Sequence, residues 1–238
     1  MKEIRKTARE RMKGFCRVCP VCDGRACAGE VPGMGGMGTG SAFSANVAAL
    51  AEWRLNMRLL HDCAEPQTGT AFLGKNLRLP VLAAPIGGVS FNMGGAVTEE
   101  DYIEAVLAGC AESGTLGCVG DGVPEFIHEA GYGALKRLGG AGIQFIKPWE
   151  EPELTRKIEK ALAAGADIIG MDVDAAGLVT LKLMGRPVAP KSPANLRLLI
   201  RDLPAPFILK GIMTADEPLL ALHSCTEPLV VSHHAGLV

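Results

Sequence analysis

The chain has little tyrosine, little net charge and no long apolar run. Only Tyr102 and Tyr132 occur in its 238 residues, so the first hundred positions carry no phenol. A formal charge of −2 leaves no broad basic surface for nucleic acid, and an apolar share of 48% argues against disorder. No stretch approaches the ~18 continuous apolar residues of a membrane helix. The opening "MKEIRKTARERMKG" holds six Lys/Arg against two Glu with no apolar run behind it. That pattern suits a solvated helix better than a targeting peptide. A cytoplasmic protein is expected, one that avoids nucleic acid and membrane, and in a reducing cytosol its eight cysteines do not form a disulfide scaffold.

What is present is a regular alternation from residue 80 onward. Apolar runs at 80–85, 115–120, 142–146, 167–174, 206–211 and 228–232 predict strands. Between them "EEDYIEAVLAGCAESG", "PEFIHEAGYGALKRLG", "PELTRKIEKALAAG", "PANLRLLIRDL" and "ADEPLLALHS" have helical spacing, acidic or proline starts and often a closing glycine. Runs apolar throughout, each followed by a helix, imply parallel strands covered on both faces. Residues 1–79 read as a separate amino-terminal region: the basic helix, a cysteine and glycine loop, a helix over "SANVAALAEWRLNMRLL" and a hairpin over "TAFLGKNLRLP". Residues 80–238 form the α/β part. Six βα units fit either an open doubly wound sheet or an incomplete (β/α)8 TIM barrel, and spacing does not choose between them.

The carboxyl ends of the strands carry Pro85, Asp121, Gln144 with Lys147, Asp172 with Asp174, Lys210, and His234. Ionisable groups recurring at that end of nearly every strand favour a barrel, which gathers its chemistry on that rim. Lys210 closes the apolar run "PFIL" and could equally be leaving the sheet for solvent. Asp174 could orient His234 as a base, since a carboxylate fixes an imidazole's tautomer and supports its positive charge. Taken alone, His234 also fits a frayed terminal histidine.

Six blocks in order, "LGKNLRLPVLAAPIGG", "TLGCVGD", "GIQFIK", "GMDVDAAG", "FILKGIMTADEPLLAL" and "VVSHHAGLV", resemble the FMN-dependent 2-hydroxy-acid oxidase and dehydrogenase family, which includes glycolate and lactate oxidases. The resemblance implies a (β/α)8 barrel with FMN at the carboxyl rim and oxidation of a small 2-hydroxy acid to a 2-oxo acid. It places Ala83, Ala84, Pro85 and Ile86 along the flavin ring, Gln144 at its pyrimidine edge, and Lys210 where the ring becomes anionic on reduction. His234 takes the position of the catalytic base and Asp174 that of its partner. Asp172 replaces a flavin-contacting threonine, and Cys118 stands where serine is common. The expected partners are a small 2-hydroxy acid and further copies of the chain in a homo-oligomer.

The departures are as specific. Leu237 stands where the family has the arginine that binds the substrate carboxylate, and Ile146 where it has an active-site tyrosine. The seventh and eighth strands, which bind the FMN phosphate in the family, do not follow His234, so the chain reads as a barrel cut at its sixth strand.

Cys16, Cys19, Cys22 and Cys27 give C-x2-C-x2-C-x4-C. The first three match the start of a ferredoxin-type run, and the fourth falls one residue late without its following proline. The set could hold an iron–sulfur cluster or zinc, or remain as reduced thiols. "GMGGMG" satisfies G-x-G-x-x-G at Gly33, Gly35 and Gly38, but no strand precedes it, so it reads as a loop. Two further functions stay open beside the oxidoreductase: an FMN-dependent isomerase of the isopentenyl diphosphate type, and a non-catalytic remnant in which only a cysteine metal site works.

Overall fold

The four central apolar runs form strands buried on both faces, whereas the outer two, at 82–86 and 229–231, are only partly buried. A computed structural model describes residues 1–30, 36–186, 188–222 and 228–234. In chain order the elements are α1 (Lys2–Met12), α2 (Ser41–Glu52), β1 (Thr70–Phe72), β2 (Lys75–Leu77), β3 (Leu82–Ile86), α3 (Val89–Asn92), α4 (Glu99–Glu112), β4 (Leu116–Val119), α5 (Glu125–Arg137), β5 (Ile143–Ile146), α6 (Glu153–Ala163), β6 (Ile168–Asp172), α7 (Val179–Leu183), α8 (Pro193–Arg201), β7 (Phe207–Ile212), α9 (Glu217–Leu222) and β8 (Leu229–Val231). The strands pair in the order β3-β4-β5-β6-β7-β8, every pair parallel. The result is a curled half-barrel with helices outside, the incomplete-barrel reading rather than the open doubly wound one.

Side chains alternate across each strand and so divide into two layers. Leu116, Cys118, Ile143, Phe145, Ile168 and Ile208 make an inner cluster, joined by Leu77 from the antiparallel β1–β2 hairpin. The Arg78 amide donates to the Gly114 carbonyl at 2.7 Å, which seats the hairpin at the amino-terminal end of the sheet. Val119, Ile146, Ile169, Met171, Phe207 and Leu209 face outward with Leu107, Leu135, Leu154 and Ile158 of the helices. Each fully buried side chain of this size stabilises the fold by about 1.5–3 kcal/mol. Helix starts are chemically marked: Thr98 accepts from the Asp101 amide at 3.1 Å, and Ser192 with Asn195 forms a reciprocal capping box on α8. Losing such a cap costs about 1 kcal/mol.

The amino-terminal region departs from expectation. The helix expected over 44–60 starts earlier and stops at Glu52, with Trp53 already extended. None of the α2 residues is buried, and a short helix without a packed face has nothing to sustain its propagation. Trp53, Leu55, Met57, Leu59 and Leu60 are consequently exposed. The cysteine loop is tied to α1 instead. Arg9 donates to the carbonyls of Arg17 and Val18 at 3.0 and 3.1 Å, and Arg5 to that of Pro20 at 3.3 Å. Gly38 lies in a loop as expected, while Gly33, Gly35 and Leu237 are outside the described residues. Among the described residues no helix is long and apolar enough to cross a membrane.

Candidate active site

The register of the last three strands gathers four ionisable groups. Asp172 pairs with Lys210 across β6 and β7, and β8 then carries the chain to His234 beside them. The Lys210 ammonium lies 3.0 Å from Asp172 Oδ1 and 3.5 Å from Asp174 Oδ2. His234 Nδ1 lies 2.7 Å from Asp174 Oδ2 and 3.3 Å from Lys210 Nζ, and its Nε2 is 3.9 Å from Asp172 Oδ2. Two local devices aim the histidine. It adopts a left-handed backbone with φ of 49°, and its amide donates to Ser232 Oγ at 3.2 Å. Gly211 makes room for the carboxylate: its φ is +111°, and a Cβ there would stand 2.6–2.7 Å from Asp174 atoms.

Burial would push the Asp174 carboxyl up, but the hydrogen bond and charge of His234, with Lys210 beside it, hold it below the ordinary carboxylate range. An ionised carboxylate only accepts, so in the 2.7 Å contact Nδ1 of His234 is the donor to Asp174. Asp172, Asp174 and His234 also form the one group of three ligand side chains within 4.8 Å among the described residues. The Lys210 ammonium already supplies a cation to both carboxylates there.

Two cavities flank this cluster. The first, about 370 Å³, is lined by Ile86, Lys147, Asp172, Met184 and His234, with Pro85 at its edge. The second, about 450 Å³, lies inside the curl of the sheet and is lined by Ala83, Ala84, Pro85, Cys118 and Lys210. Of the expected flavin-side residues, Ala83, Ala84, Cys118 and Lys210 therefore line the second cavity, Ile86 and Asp172 the first, and Pro85 both. Cys118 remains a neutral thiol, its pKa pushed up to about 12 chiefly by burial, with Cys110 and Asp172 adding to the effect.

Gln144 does not join them. It faces α5 and is fully buried, and its amide nitrogen donates to the carbonyls of Gly120 and Phe145 at 3.2 and 2.9 Å. A Cβ on Gly131 of α5 would lie 3.0 Å from Gln144 Oε1, so the helix runs directly over it. The reason is strand alternation: Ile143 and Phe145 take the inner face, which puts Gln144 and Ile146 outside. Gln144 therefore lines neither of these two cavities.

Asp121 belongs to a second cluster that no sequence signal announced. Its carboxylate accepts from Trp149 Nε1 at 2.6 Å, Lys157 Nζ at 2.5 Å, the Gly122 amide at 2.8 Å and the Lys147 amide at 3.0 Å. Lys157 also lies 3.2 Å from His128 Nδ1 and 4.8 Å from the Trp149 ring centre. Burial, reinforced by Lys157, holds His128 below the ordinary histidine range. Sequence periodicity places Lys157 on the buried stripe of α6, where a lysine reads as an exception; only its contact with Asp121 explains it.

The cysteine loop does not assemble a metal centre in this structure. Cys16, Cys19, Cys22 and Cys27 do not converge into a group of three or more ligands within 4.8 Å. Cys16 Sγ instead accepts from the Val18 amide at 3.3 Å, and burial, Glu30 and the neighbouring thiols push the Cys27 thiol up.

The chain is thus an α/β half-barrel whose carboxyl rim gathers a lysine, a histidine and two carboxylates beside its cavities. Residues 33–184 match the FMN-dependent dehydrogenase family, and the chain belongs to it. An L-lactate oxidase of Nostoc sp. (strain PCC 7120) is 27% identical over 241 residues, spanning 84% of this chain. The chain in turn spans 64% of that relative's length. Among solved structures, one of a Pediococcus acidilactici protein described as a lactate oxidase superposes with a TM-score of 0.70 at 17% identity, covering 99% of this chain and 66% of its own. A mandelate oxidase gives 0.72 at 19% identity, covering 99% and 68%. At such identities the superpositions speak for the fold, and the family match carries the FMN. The cysteine loop lies before the matched residues.

The residues present fit a flavin ring on one side. Ala83 and Ala84 contribute only small side chains to the lining of the second cavity, and Lys210 adds a cation to it.

Proposed function

We propose that the chain contributes the proton-abstracting site of an FMN-dependent oxidoreductase acting on a small 2-hydroxy acid. The observation that carries this reading is the 2.7 Å contact between His234 Nδ1 and an Asp174 carboxylate held ionised beside Lys210. Oxidising a C–OH to a C=O removes two electrons and two protons. His234 Nε2 takes the hydroxyl proton, and Asp174 stabilises the imidazolium that forms. FMN, when bound, supplies the acceptor for the hydride equivalent leaving the substrate carbon.

Ala83, Ala84, Pro85 and Ile86 would form the wall against the ring, with Cys118 and Asp172 at its margins. Lys210 would hold positive charge at the ring where electrons arrive, a fixed charge that needs no reorganisation during the reaction. Phe91, Leu178 and Met184 give the first cavity an apolar part against which the acid's hydrocarbon portion would pack. The relatives' printed names, lactate and mandelate oxidases among them, set the class of acid to be tried first.

The test is to load the purified chain with FMN without oxygen, add small 2-hydroxy acids in turn and follow bleaching of the flavin absorbance. Bleaching by at least one acid, absent in His234→Ala with flavin still bound, is the expected result. Bound flavin that no such acid bleaches overturns the reading.

A further inference from the structure

Lys147 stands at the carboxyl end of β5. Ile146 pairs with Met171, and Asp172 pairs with Lys210, so one step beyond Ile146 the chain reaches the level of those two site residues. Alternation puts Lys147 on the inner face with Ile143 and Phe145, and it lines the first cavity together with His234 and Asp172. It does not line the second cavity, where Ala83, Ala84 and Lys210 stand.

Lys147 is 8% exposed, comparable with Lys210, yet its charge is handled differently. Lys157 and Lys210 each face at least one carboxylate within 4.0 Å. Among the described residues no carboxylate lies that close to the Lys147 ammonium, and no side-chain hydrogen bond of Lys147 is present. Withdrawing an ammonium from water without a counter-charge is unfavourable in general. Its base is nonetheless rigidly held: the Lys147 amide donates to Asp121 Oδ2 at 3.0 Å, and two residues on Trp149 Nε1 donates to the same oxygen at 2.6 Å. Asp121 and Asp172 line the same cavity, but no carboxylate among the described residues stands within 4.0 Å of the Lys147 ammonium, which leaves a pinned, nearly buried cation able to take an anion there.

Resting on the function proposed above, we propose that Lys147 is the residue that binds the substrate's carboxylate and so selects anionic 2-hydroxy acids over their neutral analogues. His234 stands in the same cavity, so an acid held by its carboxylate at Lys147 keeps its hydroxyl within the space that His234 Nε2 serves. A lysine contributes a point charge rather than a planar fork, so the site accepts a carboxylate without dictating the rest of the acid.

The test uses pyruvate as the anionic probe and pyruvamide as its neutral counterpart, titrated calorimetrically into the purified chain without turnover. Wild-type protein binds pyruvate more tightly than pyruvamide. Lys147→Met weakens pyruvate by about 10–100-fold, the worth of one charge-assisted hydrogen bond. It leaves pyruvamide, FMN and riboflavin binding unchanged, while Lys147→Arg keeps most of the pyruvate affinity. Without ligand, Lys147→Met melts no lower than wild type, because it removes an uncompensated charge. Equal pyruvate affinity in wild type and Lys147→Met, or no pyruvate binding by wild type, overturns the assignment. Loss of FMN but not riboflavin binding in Lys147→Met would give the lysine to the flavin phosphate and overturn it equally. Failure of 2-hydroxy acids to bleach bound flavin would instead count against the function proposed for His234, whatever Lys147 binds.

Discussion

Two clusters in this molecule contain the same kinds of side chain and do opposite things. Asp121, Lys157 and His128 lie under α5 and α6, with Trp149 closing the set. Asp174, Lys210 and His234 lie on the inner rim of β6–β8, with Asp172 beside them. In the first, the carboxylate accepts four hydrogen bonds and the lysine is fully withdrawn from solvent, so the charges are spent mainly on one another, although Asp121 also lines the first cavity. In the second, the histidine itself lines a cavity. Position relative to the sheet, outer face against inner rim, separates a buried brace from the site proposed as reactive.

If that division is right, single substitutions should separate the clusters by readout. The largest effect is expected from His234→Ala, which should lower turnover of a 2-hydroxy acid by about 10²–10⁴-fold with flavin still bound. His128→Gln should leave turnover per folded molecule nearly unchanged in the same steady-state assay. Next comes Lys157→Met, which strands the Asp121 carboxylate without its counter-charge. Urea unfolding should show a loss of about 3–5 kcal/mol, typical of breaking one side of a buried pair. Similar stability in Lys157→Met and wild type would show that Trp149 and the two backbone amides suffice.

Gly211→Ala should have a smaller effect of mixed kind. A Cβ there meets Asp174 in a backbone conformation that side chains rarely adopt. The strain costs about 1–3 kcal/mol in denaturant, and the displaced carboxylate should lower kcat more than it raises KM. Unaltered kcat with lowered stability would remove Asp174 from its orienting role.

The smallest effects should appear in stability against pH, where the clusters fail in sequence. His128 is held neutral, so the unfolded chain takes up a proton that the native one refuses once pH falls through about 6.5. Stability declines from there downward until the folded imidazole itself protonates. Asp174 titrates below the ordinary carboxylate range, so its contribution is present at neutral pH and is lost only as pH falls through that range and below. Denaturant midpoints measured across pH should therefore show His128→Gln flattening the upper limb and Asp174→Asn the lower. The reverse order would exchange the two environments.

The order of strands and helices after residue 80 was plain in the chain, because parallel strands buried on both sides need continuous apolar runs and short punctuated connections. "FILKG" and "GMDVD" likewise marked Lys210 and Asp174, since a charged residue closing such a run falls at the rim. Less was visible before residue 80, where α2 stops short because its apolar residues find no partner surface.

Other features depended on contacts between residues far apart in the chain. Whether Gln144 or Lys147 faces the cavity rests on strand alternation, and one residue of register exchanges the two sides. Four closely spaced cysteines suggested a metal centre, but ligand spacing constrains the chain without making thiols converge, and here α1 and Glu30 hold the loop. Composition and periodicity are local quantities and can specify a half-barrel with a charged rim. Which of two Asp–Lys–His sets is the more deeply covered depends on what packs above each of them, and that is known only once the sheet has curled and the helices have settled on its outer face.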